Sequence, residues 1–116
     1  MALYTCGHII PDSDSVCSAI SLAYLLNKIG RAATPARQGE LNPETKFILD
    51  KFGFEAPVLK TSFAGDELFI TDYSDIAQAP QDLDKTTVVG IVDHHKLGDI
   101  TTSAPLECWI RPVGCT

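Results

Sequence analysis

Positive charge is scarce in this chain of 116 residues, where nine Lys and Arg stand against 15 Asp and Glu and leave a formal charge of −6. A chain this acidic lacks the basic surface by which general DNA and RNA binders attract phosphates. The longest weakly interrupted apolar stretch, residues 16–26, falls short of the about 20 residues that cross a bilayer. No Lys or Arg precedes it, so it does not resemble a secretory signal. The sequence therefore predicts a cytoplasmic protein that binds neither nucleic acid nor membrane.

Thiolate metal motifs are also missing. The four cysteines, Cys6, Cys17, Cys108 and Cys115, form no CxxC pair and no zinc-ribbon spacing. Without a secretory signal, we expect buried, reduced thiols rather than disulfides. The composition, 45% hydrophobic and 21% charged, is that of an ordinary globular protein, and the length suits one domain with one core. Residues 1–116 are therefore predicted to form a single domain.

Strand-like and helix-like segments alternate along the chain. Short runs at residues 3–6, 68–71, 88–92 and 108–110 predict strands, with a further short strand around residues 32–37. Continuous apolar runs are typical of strands covered on both faces, as in a parallel sheet. Asp14 or Ser15 is predicted to cap a helix that ends near Ile29, and Asn42 to cap a second helix that ends near Gly53. We therefore predict an α/β fold, an open, mainly parallel, doubly wound sheet with helices on both faces.

Carboxylate and imidazole side chains follow three of the predicted strands. They are His8, Asp12 and Asp14 after the first strand, Asp72 after residues 68–71, and Asp93, His94 and His95 after residues 88–92. Ligands bind at the carboxyl ends of strands in open parallel sheets, so we expect these side chains to converge. Divalent cations would remove the repulsion between neighbouring carboxylates. Oxygen and imidazole donors favour Mn²⁺, Co²⁺, Fe²⁺ or Mg²⁺, and three clusters suggest two ions that share a carboxylate.

Each cluster also has a purely structural interpretation. Asp12 and Asp14 suit a helix cap, Asp72 suits a turn, and two adjacent histidines can be one core and one solvated imidazole. The coincidence of all three clusters at strand ends favours the metal site. Trp109 has no partner aromatic at a useful spacing, which argues against a base-stacking surface.

The residues around these clusters resemble a known family. Residues 8–15 and 93–95 look like motifs I and III of the DHH phosphoesterase superfamily, with Asp72 as motif II. Within it, the PDSDS loop followed by VCSAI, together with residues 37–45 and 112–116, resembles the family II, manganese-dependent inorganic pyrophosphatases. The resemblance implies hydrolysis of pyrophosphate to two phosphates with two Mn²⁺ ions, for which Co²⁺ or Mg²⁺ can substitute. It also implies a homodimer, in which residues 108–110 offer an open edge strand.

The resemblance further implies a role for each site residue. One ion is held by His8, Asp12 and Asp72, and the second by Asp14, Asp72 and His94. Asp72 bridges the two ions and His95 faces the substrate phosphate, so these two are the predicted catalytic residues.

The sequence departs from the family in two respects. Tyr73 and Ser74 stand where such enzymes usually have His and Asn. The family's fourth metal-binding Asp, and a second domain whose Lys and Arg clamp pyrophosphate, are expected beyond Thr116. We therefore expect residues 1–116 to be the N-terminal part of a longer two-domain chain, weak or inactive alone. Two alternatives remain open, a DHH phosphodiesterase acting on short oligonucleotides or cyclic dinucleotides, and a catalytically silent metal-binding or dimerisation module.

Overall fold

The computed structural model describes residues 1–116, which form six strands, two α-helices and two short 3₁₀ helices. The strands are β1 (Leu3–Cys6), β2 (Thr34–Arg37), β3 (Val58–Leu59), β4 (Glu67–Thr71), β5 (Thr87–Asp93) and β6 (Glu107–Ile110). The α-helices are α1 (Ser13–Lys28) and α2 (Pro43–Phe52), and the 3₁₀ helices are Ile76–Gln78 and Leu83–Lys85. Neither α-helix combines the length and the apolar character that a membrane span requires.

All six strands form one sheet in the order β3-β2-β1-β4-β5-β6, and every neighbouring pair is parallel. The chain runs outward from β1 to β3 and then returns to β4 on the other side of β1. The strand order therefore reverses between β1 and β4, and connections that leave in opposite directions open a crevice at the carboxyl ends of the strands. The prediction of a parallel α/β fold is confirmed.

Helical segments cover both faces of the sheet. Side chains alternate between faces along a strand, and in β4 this places Phe69 opposite Leu68 and Ile70. Phe69 packs with Leu26 of α1 in one apolar cluster. Leu68 and Ile70 belong to a second cluster, which includes Ala79 and is flanked by Leu83 from the 3₁₀ region. The second face is therefore covered by 3₁₀ helices and loops, although the sequence predicted helices on both faces.

The helix termini correct one prediction. Asp12, and not Asp14 or Ser15, caps α1, because its carboxylate accepts a hydrogen bond from the Ser15 backbone N–H at 2.8 Å. Asp12, Ser13, Asp14 and Ser15 are all good capping residues, so the sequence alone did not fix which one ends the extended backbone. The second helix is as predicted, since Asn42 caps it and Gly53 ends it in a left-handed conformation with φ of 74°.

The prediction of four buried thiols is right for Cys6 and wrong for two others, while Cys17 is only partly buried. Cys108 and Cys115 are exposed, because β6 is an edge strand and residue 115 lies beyond it. Cys6 is buried in the core, and its burial raises the pKa of its thiol to about 12. All four thiols are free, as expected.

Candidate metal centre

The three polar clusters converge at one edge of the sheet, as predicted. In the register of the parallel strands, Cys6 of β1 pairs with Ile70 of β4, and Thr71 of β4 pairs with Val92 of β5. The three strands therefore end side by side. The loops that follow these strands therefore start close together, at the carboxyl ends of the strands, in the crevice between β1 and β4.

Asp72 lies at the centre of this arrangement. It is 2% exposed, and its backbone N–H donates to the Val92 carbonyl at 2.9 Å. Its φ is 67°, a left-handed conformation that is uncommon outside glycine but that Asp tolerates better than most residues. A strained backbone persists where the surrounding structure over-determines it, and here the hydrogen bond to β5 contributes to that constraint.

The two carboxylate oxygens of Asp72 face different clusters. Its Oδ2 lies 3.3 Å from Nε2 of His8, and that nitrogen lies 3.5 Å from Oδ1 of Asp12. Its Oδ1 lies 3.1 Å from Nε2 of His94, and that nitrogen lies 3.2 Å from Oδ2 of Asp14. One buried carboxylate therefore connects two separate His–Asp pairs.

Asp93 supports the adjacent histidines from below the surface. Its Oδ1 accepts hydrogen bonds from the backbone N–H groups of His94 and His95, at 2.7 and 3.3 Å. The same oxygen lies 2.7 Å from Nδ1 of His95, whose ring is half-exposed. Oδ2 of Asp93 is buried and has no hydrogen-bond partner. Because the Asp93 carboxylate accepts a hydrogen bond from Nδ1 of His95, the Nε2 atom of that ring remains available to a ligand.

Mutual interactions shift the pKa values of this cluster. Burial raises the pKa of Asp14, and the nearby Asp72 carboxylate raises it further. Burial also acts to raise the pKa of Asp72, but its hydrogen bonds with His8 and Asp14 and the charges of His8 and His95 outweigh burial and lower it. The hydrogen bond with Asp72 raises the pKa of His8, and the hydrogen bond with Val113 raises that of His94.

The donor set fits hard divalent cations. The ligand atoms of His8, Asp12 and Asp72 all lie within 4.8 Å of one another, and no thiol takes part. A second group that meets the same limit contains Asp72, Asp93, His94 and His95. Within it, Oδ1 of Asp93 is already occupied by N–H donors, whereas Asp14 directs an oxygen at His94. Oδ2 of Asp14 lies 3.2 Å from Nε2 of His94, which makes Asp14 a candidate ligand beside that histidine, and the assignment of ligands to ions stays a prediction.

A small cavity of about 130 Å³ opens beside the cluster. It is lined by His8, Asp72, Tyr73, Asp75, Gln78 and His95, so Tyr73 borders the site. No Lys or Arg lines this cavity. The guanidinium of Arg37 donates to the carbonyls of Pro57 and Gly39.

Sequence reasoning missed the contacts made by the end of the described chain. The Val113 carbonyl lies 3.0 Å from Nδ1 of His94. The Thr116 backbone N–H donates to Oδ2 of Asp14 at 3.0 Å, and its hydroxyl donates to Oδ1 of Asp72 at 3.2 Å. No local pattern signals these contacts, since the partners are 19 to 102 positions apart.

Comparisons with known proteins agree with this geometry. The sequence model of the DHH family, N-terminal domain, matches residues 2–116. The chain is 48% identical to a "probable manganese-dependent inorganic pyrophosphatase" of Archaeoglobus fulgidus, over 98% of this chain and 39% of that protein. It is 44% identical to a manganese-dependent inorganic pyrophosphatase of Methanocaldococcus jannaschii, over 97% of this chain and 35% of that protein.

A solved structure is similar over the same span. The crystal structure of a Methanococcus jannaschii protein assigned to the family II inorganic pyrophosphatases superposes with a TM-score of 0.90 at 43% identity. The match covers 97% of this chain and 35% of that chain. The chain therefore spans little more than a third of the length of the relatives that it matches.

Proposed function

Since the chain belongs to the DHH family, we propose that residues 1–116 form the N-terminal metal-binding domain of a manganese-dependent inorganic pyrophosphatase. The observation that carries the proposal is the position of Asp72, whose two oxygens face separate His–Asp pairs. The names of the relatives supply the substrate, pyrophosphate, and the metal, Mn²⁺. Co²⁺ and Mg²⁺ prefer similar donors and are proposed as substitutes.

The proposed ligand sets follow the two His–Asp pairs. His8, Asp12 and Asp72 hold one ion, and Asp14, Asp72 and His94 hold the other. Asp72 is buried and Asp14 is half-buried beside it, so a cation held by both would offset the repulsion that raises the pKa of Asp14.

The chain's own residues prepare the site for phosphate chemistry. When bound, two divalent ions acidify water and offset the negative charge of phosphate oxygens. Asp72 fixes the distance between the two ligand sets, because one rigid carboxylate belongs to both. Asp93 holds the His95 ring at Nδ1, which leaves Nε2 free to contact a phosphate oxygen. The net reaction adds water to one phosphorus and breaks the bridging P–O bond, which yields two phosphates.

We expect residues 1–116 alone to turn over pyrophosphate slowly. No Lys or Arg lines the cavity, so we expect the leaving phosphate to be weakly oriented and its charge to be only partly neutralised within these residues. Orientation of reactants is worth about 7 kcal/mol or more, which corresponds to several powers of ten in rate.

The test measures phosphate release from pyrophosphate with Mn²⁺, beside nucleotide release from a dinucleotide. We expect slow phosphate release from pyrophosphate only, lost in Asp72→Asn, and much faster release by the M. jannaschii relative at equal concentration. Imidodiphosphate, an analogue that resists hydrolysis, should raise the melting temperature of the Mn²⁺-loaded chain. Cleavage of the dinucleotide instead of pyrophosphate would favour the phosphodiesterase alternative. A chain that binds Mn²⁺ but neither hydrolyses pyrophosphate nor binds the analogue would favour a catalytically silent module.

We also propose that two copies of the chain pair through β6 in a reducing, cytoplasmic environment. This strand has only β5 as a neighbour, so its outer edge carries unpaired backbone groups. Trp109 on this strand is 55% exposed, with the guanidinium of Arg111 5.2 Å from its ring centroid. Sedimentation that shows only a 12.5 kDa monomer at high concentration, with and without Mn²⁺, would contradict the homodimer.

A further inference from the structure

Residues 111–116, which we call the strap, lie against one side of the metal centre. Their three polar contacts with the centre reach His94, Asp14 and Asp72. None of these contacts reaches His8 or Asp12. We infer that the strap positions the ligands of the second ion, and that the Thr116 hydroxyl increases the affinity of that ion more than the affinity of the first. The inference rests on the proposed function, because it assumes the two ligand sets given above.

The contact at His94 fixes its tautomer. A carbonyl oxygen only accepts hydrogen bonds, so the nitrogen that lies 3.0 Å from the Val113 carbonyl must carry its hydrogen. In the neutral ring the other nitrogen, Nε2, then keeps its lone pair, and it is Nε2 that faces Asp14 and Asp72. The strap therefore presents His94 in the form that binds a metal. Hydrogen bonds of this kind to the far nitrogen are usual for metal-binding histidines.

The contacts of Thr116 orient the two carboxylates. Its backbone N–H can only donate, and it donates to Oδ2 of Asp14, the same oxygen that faces His94. Its hydroxyl donates to Oδ1 of Asp72, which is the carboxylate oxygen that faces His94 and the proposed second ion. Each carboxylate oxygen has more than one lone pair, so these hydrogen bonds leave room for a cation. They also restrict rotation of both carboxylates before an ion binds, which lowers the entropy cost of binding.

The strap is itself held by the sheet. The Arg111 N–H donates to the Asp93 carbonyl at 3.1 Å and continues the pairing of β5 with β6. The Val113 N–H donates to the Arg111 carbonyl at 2.9 Å, and Pro112 between them has a restricted φ. The register of the sheet therefore sets where the strap begins, and the contacts of Val113 and Thr116 hold its far end against the centre.

The experiment titrates Mn²⁺ into three variants of residues 1–116 by calorimetry. Thr116→Val removes the hydroxyl at nearly constant volume and keeps the backbone N–H, and Thr116→Ser restores a hydroxyl. Thr102→Val is the matched control, because the Thr102 hydroxyl donates to the Ala104 carbonyl and makes no contact with the site. We expect Thr116→Val to raise the dissociation constant of one Mn²⁺ ion by about tenfold, the smallest effect usual for a residue that hydrogen-bonds to a metal ligand. The dissociation constant of the other ion should change by less than about twofold. Thr116→Ser and Thr102→Val should match the parent chain.

Several results would overturn the inference. They are unchanged binding of both ions in Thr116→Val, equal weakening of both ions, or failure of Thr116→Ser to restore affinity. A parent chain that binds no Mn²⁺ would overturn the proposed function as well, so the two failures are distinguishable. Nitrogen NMR of the metal-free parent chain, at a pH where His94 is neutral, gives a readout that needs no variant. Hydrogen on Nδ1 is expected, and hydrogen on Nε2 would overturn the inference.

Discussion

Replacing Asp72 with Asn tests the central feature of the metal centre. Asn keeps the size of the side chain and, like Asp, tolerates the left-handed backbone at this position. It offers one oxygen and one amide nitrogen in place of two anionic oxygens, so only one of the two His–Asp pairs can still face an oxygen. Both ion positions lose the shared negative charge. Asp72→Asn should therefore lower the affinity for both ions. The larger loss should affect the ion that faces the amide nitrogen.

The size of the effect follows from linkage between binding and folding. An ion present at a hundred times its dissociation constant stabilises the native state by about 2.7 kcal/mol, and two independent ions by about twice that. For a domain of this length, each kcal/mol changes the melting temperature by roughly 4 °C. Saturating Mn²⁺ should therefore raise the melting temperature of the parent chain by roughly 20 °C. Asp72→Asn should lose most of this increase.

Two further variants provide matched controls. Asp12→Asn should lose only the ion beside His8, because Asn can still cap α1, and Asp14→Asn should lose only the ion beside His94. Circular dichroism melting with and without Mn²⁺, together with the calorimetric stoichiometry, separates one lost ion from two. A full Mn²⁺-dependent increase in Asp72→Asn would refute the bridging role. Loss of both ions in Asp12→Asn would refute the division into two ligand sets.

Three other predictions concern packing, thiols and pH. Gly7→Ala would place a Cβ 1.8 Å from a serine hydroxyl in the first turn of α1, so urea unfolding should show a loss of about 1–3 kcal/mol, and an unchanged midpoint would contradict this. Cys6, whose pKa is raised by burial to about 12, should react with a thiol reagent only after unfolding, whereas the two exposed thiols should react at once. The raised pKa values of His8 and His94 add stability that is lost as pH rises through them, so the metal-free chain should melt lower at about pH 8 than at about pH 6. Mn²⁺ competes with protons for these rings and should stabilise the chain more at the higher pH, and a stabilisation independent of pH would count against histidine ligands.

The sequence predicted the sheet where its signals are local. The runs in β4 and β5 are apolar, β-branched and of strand length, so their patterns alone indicate buried parallel strands. Asp72 directly follows β4 and Asp93 is the last residue of β5, so both lie at the crevice, which is why their positions could be predicted together. In contrast, β3 has two residues, too few for any periodicity, and it forms only because β2 provides an edge.

The features that were missed depend on contacts distant in sequence. Exposure of Cys108 follows from the place of β6 at the edge of the sheet, and strand order cannot be derived from one strand's own residues. The contacts of Thr116 with Asp14 and Asp72 join residues 102 and 44 positions apart. The resemblance to a family gave the ligand types, but it did not indicate which neighbours hold those ligands in place.

Asp72 explains why fold and site are inseparable in this chain. Its backbone N–H completes the pairing of β4 with β5, while its left-handed φ ends the strand at that residue. Val or Ile, which suit the strand that precedes it, would be strained in this conformation, and Gly would supply no carboxylate. Asp satisfies both requirements, since it tolerates the backbone and provides an oxygen to each His–Asp pair. The pairing of β4 with β5 therefore helps to place the carboxylate that the two ligand sets share, and a bound ion should in turn stabilise that pairing.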